Sequence, residues 1–139
     1  VLGSLRQPRS AELEVWADGQ PFYRGPGCLA AVMNGRRYGG GFRIAPDADP
    51  ADGRLELVLG GQLGRAELLG LMGRLRLGRH LGHPQVRHVR ARQVGLRWSE
   101  PMFLHLDGEV GGELAGEVLE LEAGVRPGAL RFLSGRLPG

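Results

Sequence analysis

Short apolar alternations separated by turn-forming residues predict a mainly β chain: a β-sandwich domain with one principal helix. Three observations carry that expectation. Period-two alternation recurs in several segments of five or six residues. Glycine, proline and aspartate punctuate the gaps between them. Only one stretch, residues 64–77, spaces its apolar residues as a helix does.

Residues 11–16 (Ala-Glu-Leu-Glu-Val-Trp) alternate as a half-buried strand. Asp18-Gly19 is a two-residue hairpin signal, so residues 21–23 should return as its partner. Residues 29–33 form a short continuous apolar run, expected to be a strand buried on both faces. Gly39-Gly40-Gly41 reads as a bulge or sharp bend leading into a strand. Leu55, Leu57 and Leu59 alternate with Glu56 and Val58 in the next strand. In the helix, Leu68, Leu71, Met72 and Leu75 fall on the face expected to meet a core. Gly70 and Gly73 each cost about 1 kcal/mol of helix propensity relative to alanine, so this helix depends on packing. Later strands are expected at 86–91, 94–98, 102–107, 118–122 and 129–133. Disorder is expected up to about Pro8 and beyond Gly135.

The chain has 139 residues, enough for one domain with a core that needs no disulfide or metal staple. A single cysteine, Cys28, permits no internal disulfide. No apolar run is long enough to span a bilayer, and the first residues lack the pattern of a signal peptide. All 18 basic residues are arginine, which together with 25 glycines reflects GC-rich codon usage. The net charge is only +3, although the isoelectric point lies near 10. Arginines alternate with acids instead of forming a stripe, and aromatics make up only 6%. Nucleic-acid binding is therefore not expected.

Two acidic groupings carry the candidate chemistry. In Leu106-Asp107-Gly108-Glu109, strand geometry puts Asp107 and Glu109 on one face with His105, opposite Leu104 and Leu106. Such a pair can accept a proton or bind a metal; the plain alternative is a tight turn with Glu109 solvated. Asp47, Asp49 and Asp52 lie within six residues and could surround a hard cation with oxygens. They are not an EF-hand loop, because its sixth position needs glycine and its twelfth a glutamate, whereas here stand Asp52 and Val58. The plain alternative is again an Asp-Gly turn before a strand. His80, His83 and His88 have pairwise zinc spacing, but no nearby cysteine or carboxylate completes a set.

In order, the series comprises Asn34 with the Gly39–Gly41 run, Asp52-Gly53-Arg54, the leucine-rich helix, Gly78-x-His80-x-x-His83-Pro84, Leu106-Asp107-Gly108-Glu109 and residues 126–133. That series resembles the C-terminal domain of the diacylglycerol kinase-like lipid kinases over roughly residues 10–134. The family includes soluble bacterial diacylglycerol kinases and, more distantly, sphingosine and ceramide kinases. The resemblance implies the C-terminal β-sandwich of the lipid kinase/NAD kinase-like fold. It puts Glu109 at the proton-acceptor position. Asp107 would orient the substrate hydroxyl or contact nucleotide-bound magnesium. It also implies a structural Mg2+ on the Asp52 side chain, with Asp49 and Arg54 at the flanking carbonyl positions.

The family's Gly-Gly-Asp-Gly-Thr nucleotide loop does not occur in these residues, nor does its Asn-x-x-Gly-x-Gly stretch. Residues 1–139 are therefore expected to be a single, partial domain that is not a kinase by itself. ATP would be bound mainly by an N-terminal nucleotide-binding domain. The lipid would be met at a membrane surface by a cytoplasmic, peripheral protein, most simply converting diacylglycerol to phosphatidate. A kinase of sphingoid or other lipid alcohols would use the same residues. The competing expectation is a non-catalytic β-sandwich that binds a lipid or another ligand; such a binder has no need of the Asp107–Glu109 pair.

Overall fold

The computed structural model describes residues 11–104 and 116–129. Its elements are β1 (Ala11–Ala17), β2 (Gln20–Gly27), β3 (Leu29–Met33), β4 (Leu55–Gly60), α1 (Arg65–Leu77), β5 (Val86–Ala91), β6 (Gln93–Leu104) and β7 (Gly116–Gly124). A four-stranded sheet runs β2-β1-β6-β7 and a three-stranded sheet runs β3-β4-β5, with every pairing antiparallel. The expected sandwich and its one helix are both present.

Between the sheets lie Leu13 and Val15 of β1, Leu57 and Leu59 of β4, and Val94, Leu96 and Trp98 of β6. Beyond the three-stranded sheet is a second core. There Leu71 of α1 joins Val58, Leu63 and Val86 with the loop residues Ile44, Ala45 and Ala48. The domain is thus three-layered, and β4 is the only described strand buried along its whole length.

Two connections of one residue carry the chain between the sheets. Cys28 stands between β2 and β3, and Arg92 between β5 and β6. The first corner is close-packed: a Cβ on Gly27 would lie 2.7 Å from Leu13 Cδ2, so any larger residue would displace the buried Leu13 side chain. The second is held by Asp18, whose Oδ1 accepts the amides of Arg92 (2.8 Å) and Gln93 (3.0 Å). Asp18 and Gly19 have φ of 49° and 77°, the double positive value of the hairpin turn expected from their sequence.

Several strand expectations need correction. β3 is an edge strand of intermediate burial rather than a doubly covered one, because β4 takes the middle place in its sheet. The glycine run leads into a long loop, and the next strand begins only at Leu55. The strands expected at 94–98 and 102–107 are joined in one, β6, as far as Leu104, and its pairing with β7 slips between Arg97 and Met102; residues 105–107 lie outside the described residues. Pro101, which has no amide hydrogen to donate, lies inside that slip. Met72 faces solvent, while Leu68, Leu71 and Leu75 pack inward. Of the strand expected at 129–133, Ala129 sits in a turn, its amide bonded to the Arg126 carbonyl. Residues 130–133, like the two termini, lie outside the described residues.

The helix ends are well made. Gly64 N–H donates to Glu67 Oε2 at 2.8 Å in the first turn. Gly78 closes the helix at φ 68°, with Arg79 N–H bonded to Arg74 O and Gly78 N–H to Leu75 O. Leu57 is fully buried at the centre of β4. Leu57→Ala should cost about 2–5 kcal/mol, a large part of a domain's usual margin of about 5–15 kcal/mol. Urea unfolding checks this as a lowered midpoint with an unchanged slope.

Candidate functional site

The long loop between β3 and β4 carries both the glycine run and the aspartate cluster. Tyr38 N–H donates to Phe42 O at 2.9 Å across Gly39, Gly40 and Gly41. Their φ values are 40°, 67° and 88°, so the run is a sharp bend that needs glycine for its backbone. Cβ positions at Gly39 and Gly41 would meet only open space, so no neighbouring side chain demands them.

Three fasteners tie the following residues to the end of α1. Arg43 N–H donates to Leu75 O at 3.0 Å. Pro46 sits so close that a Cβ on Gly78 would lie 3.1 Å from its own Cβ. His80, 1% exposed, has Nε2 at 2.8 Å from Ile44 O. The His-x-x-His-Pro segment thereby gains a role: His80 clamps the loop, and His83 Nδ1 accepts the Gln85 amide in the link to β5.

The aspartates form two successive turns. Asp49 Oδ1 accepts the Ala51 amide (2.9 Å) and Asp52 Oδ1 the Arg54 amide (2.8 Å), each two residues on. Asp52 N–H returns to Asp49 O at 3.1 Å. Gly53 has φ 68°, and a Cβ there would lie 3.2 Å from Pro127 Cγ, so the residues after β7 press against this turn. Asp49, Asp52 and Arg54 are therefore brought together. One oxygen of each carboxylate serves the turn. The other Asp52 oxygen, Oδ2, lies 4.0 Å from Arg90 Nε.

Arg90 is the hub beneath the turn, and sequence reasoning missed it. Its Nε donates to Glu56 Oε1 at 2.6 Å, and Nη2 donates to the Asp47 carbonyl at 3.1 Å. Glu56 is buried on the helix side of β4, directly opposite Arg90 of β5. The Glu56 carboxylate keeps this guanidinium above even its ordinary high pKa, so Arg90 stays cationic. A charged residue inside an apolar strand, facing an arginine in the next alternation, is the signal that could have found the pair.

Among the described residues no three His, Cys, Asp or Glu side chains gather as a metal cluster. A cation at this turn would therefore draw on Asp52 Oδ2, in competition with Arg90 4.0 Å away, and on backbone carbonyls. That is a hard-oxygen set of the kind magnesium accepts with water completing its octahedron. Glu56, bonded to Arg90 at 2.6 Å, offsets part of the positive charge that a cation here would meet. Asp107 and Glu109, the expected catalytic pair, lie outside the described residues. Cys28 is half-buried, and burial pushes its thiol pKa up, away from a reactive thiolate.

This layered sandwich matches the family model described as the YegS C-terminal NAD kinase beta sandwich-like domain, over residues 1–134. The chain belongs to this family. The diacylglycerol kinase of Bacillus subtilis (strain 168) is 33% identical over 113 residues, covering 81% of this chain and 37% of that protein. The diacylglycerol kinase of Staphylococcus carnosus (strain TM300) is 31% identical over 118 residues, covering 85% and 38%. A solved structure of a diacylglycerol kinase from Bacillus anthracis str. Sterne shares the fold at TM-score 0.60 and 17% identity, covering 86% of this chain and 41% of its own. Another solved chain from the same strain reaches 0.70 at 18% identity, covering 89% and 39%. The chain thus spans under two fifths of the length of these curated relatives.

The His80 clamp predicts a pH dependence. Burial lowers the His80 pKa below its ordinary 6.5, outweighing the bond to Ile44 O, and nearby His88 lowers it a little further. Nδ1 is buried with no hydrogen-bond partner among the described residues, so a second proton would have no acceptor. Below the ordinary pKa the unfolded chain binds the proton first, so stability is fully present above about pH 6.5 and falls as pH drops towards the lower folded value. Melting temperatures between about pH 5 and pH 8 should fall on the acid side for the wild type. His80→Gln should flatten that slope while lowering the melting temperature at neutral pH.

Proposed function

We propose that this chain is the lipid-facing C-terminal domain of an ATP-dependent lipid kinase that phosphorylates a lipid hydroxyl, diacylglycerol giving phosphatidate. The observation that carries this reading is its kinship with bacterial diacylglycerol kinases over more than four fifths of its length. The ordered motifs from Asn34 to Leu133 support it, and one of them, Leu106-Asp107-Gly108-Glu109, supplies the two carboxylates that the reaction would use. ATP would be held mainly by a nucleotide-binding domain preceding these residues.

Phosphoryl transfer to an alcohol leaves little covalent chemistry to the protein beyond positioning and proton removal. Glu109 takes the proton from the lipid hydroxyl as its oxygen attacks the γ-phosphoryl group of ATP. Asp107 orients that hydroxyl or meets the nucleotide's magnesium. Bound at the Asp52 turn, a structural magnesium would supply positive charge that fixes the loop. Asp52 would hold it by Oδ2, the oxygen that does not serve the turn, with the carbonyls of Asp49 and Arg54 beside it. Among the described residues no helix is long and apolar enough to cross a membrane, which suits a protein meeting its lipid from one side of the bilayer.

Two experiments test this reading. In the enzyme assayed with its nucleotide-binding half, Glu109→Gln should lower kcat by about 10²- to 10⁴-fold, roughly 3 to 5 kcal/mol in the barrier. The KM for ATP should barely move. Near-normal lipid phosphorylation by that variant would remove Glu109 as the base and leave Asp107 to be tested. For the metal, magnesium at 100 times its dissociation constant should stabilise this chain by about 2.7 kcal/mol, raising its melting temperature. Asp52→Asn should abolish that rise, and an unchanged melting curve at high magnesium would leave Asp52 as a turn residue.

A further inference from the structure

The outer face of α1 is apolar where solvent-facing helices are normally charged. Leu68, Leu71 and Leu75 turn inward, and at about 100° per residue the opposite side carries Ala66, Leu69, Gly70, Gly73 and Leu77. Leu69 and Leu77 are 62% and 63% exposed, the most exposed of the large apolar side chains described. No charged residue lies on this crown. Arginines border it instead: Arg65 and Arg76 on one side, Arg74 on the other and Arg79 just past the end, all exposed. Glu67 is the helix's one acid, and its carboxylate is engaged by the Gly64 amide.

We infer that this face docks on an anionic bilayer, with α1 lying in the plane of the interface. The inference rests on the lipid-kinase reading for its purpose, and on charge complementarity for its choice of partner. Four arginines around an acid-free apolar crown match a surface that is negative at the headgroups and apolar just beneath. Arginine suits this rim, since its stem can lie along acyl chains while the guanidinium stays among phosphates. A helix of 13 residues is about 20 Å long, too short to span and ample to lie flat. The inward leucines fasten it to the three-stranded sheet, so the domain as a whole would be held at the lipid surface.

The test is co-sedimentation of this chain with vesicles that contain neither diacylglycerol nor ATP, which separates docking from kinase chemistry. Binding is expected to mixed phosphatidylcholine and phosphatidylglycerol vesicles, weakening as salt rises, and to be far weaker with phosphatidylcholine alone. Arg65→Gln with Arg76→Gln should weaken partitioning about thirtyfold. Leu69→Gln with Leu77→Gln should weaken it at least about tenfold. Leu29→Gln and Leu119→Gln, also exposed leucines but outside α1, should leave it unchanged; circular dichroism and melting curves report whether each variant is folded.

Loss of binding in the Leu29 and Leu119 variants but not the helix variants would overturn the assignment. So would equal binding to neutral vesicles, or no binding at all. A wild-type dimer that Leu69→Gln with Leu77→Gln turns into monomer, without vesicle binding, would assign the face to protein instead. Failure of the Glu109 experiment alone would leave the docking result standing.

Discussion

Complete burial of β4 is the constraint on which the other layers depend. A strand covered on both faces must offer apolar side chains to two different cores, and Leu57 and Val58 do so in succession. The four-stranded sheet closes on the leucine side. The helix and the long loop close on the other, where Glu56 is the exception. A buried carboxylate needs a partner, and Arg90 on the adjacent strand is that partner. Because the same guanidinium reaches the Asp47 carbonyl and lies near Asp52, the requirement of one buried acid also locates the aspartate turn over the sheet.

The loop from Asn34 to Arg54 has almost no regular structure, yet it is held at its middle and along its last turns. His80, Arg43 and Pro46 fix its middle to the end of α1, and Arg90 and Pro127 fix its last turns. Ile44, Ala45 and Ala48 are buried in the helix-side core, so the loop supplies packing as well as potential ligands. A turn whose amides are already satisfied by Asp49 and Asp52 needs little rearrangement to present its remaining oxygens. The loop is therefore packed and bonded as part of the domain's core.

How much of this is legible in the sequence depends on the range over which each interaction acts. The β1–β2 hairpin is legible because Asp18-Gly19 states its own turn type, and the end of α1 because Gly78 follows the last leucine. β3 and β4 mislead because their side-chain patterns do not report their place in the sheet. Small alanines at 30 and 31 tolerate an edge, while Glu56 disguises a strand buried throughout. The slip at Pro101 looks like a strand boundary because a missing amide hydrogen reads the same in either case. The Glu56–Arg90 pair spans 34 positions, and His80 to Ile44 spans 36, distances on which local periodicity is silent. The Asp52 turn is legible as a turn from Asp-Gly alone, whereas the Asp107–Glu109 pair acquires meaning only from the order of motifs around it.

The four-stranded sheet joins distant parts of the chain: Leu13 of β1 pairs with Trp98 of β6, and the Glu12 amide reaches the Ser99 hydroxyl 87 positions away. Contacts of such sequence separation slow folding, since the loop entropy is lost before the pairing is gained. On a ribosome adding about 5–20 residues per second, the β1–β2 hairpin waits on the order of several seconds before β6 exists to cover it. During that interval Leu13 and Val15 are uncovered and both edges of the hairpin are unpaired, a combination that invites association between nascent chains. The order of strands in this sheet thus leaves the domain more open to association during its synthesis than in its native state.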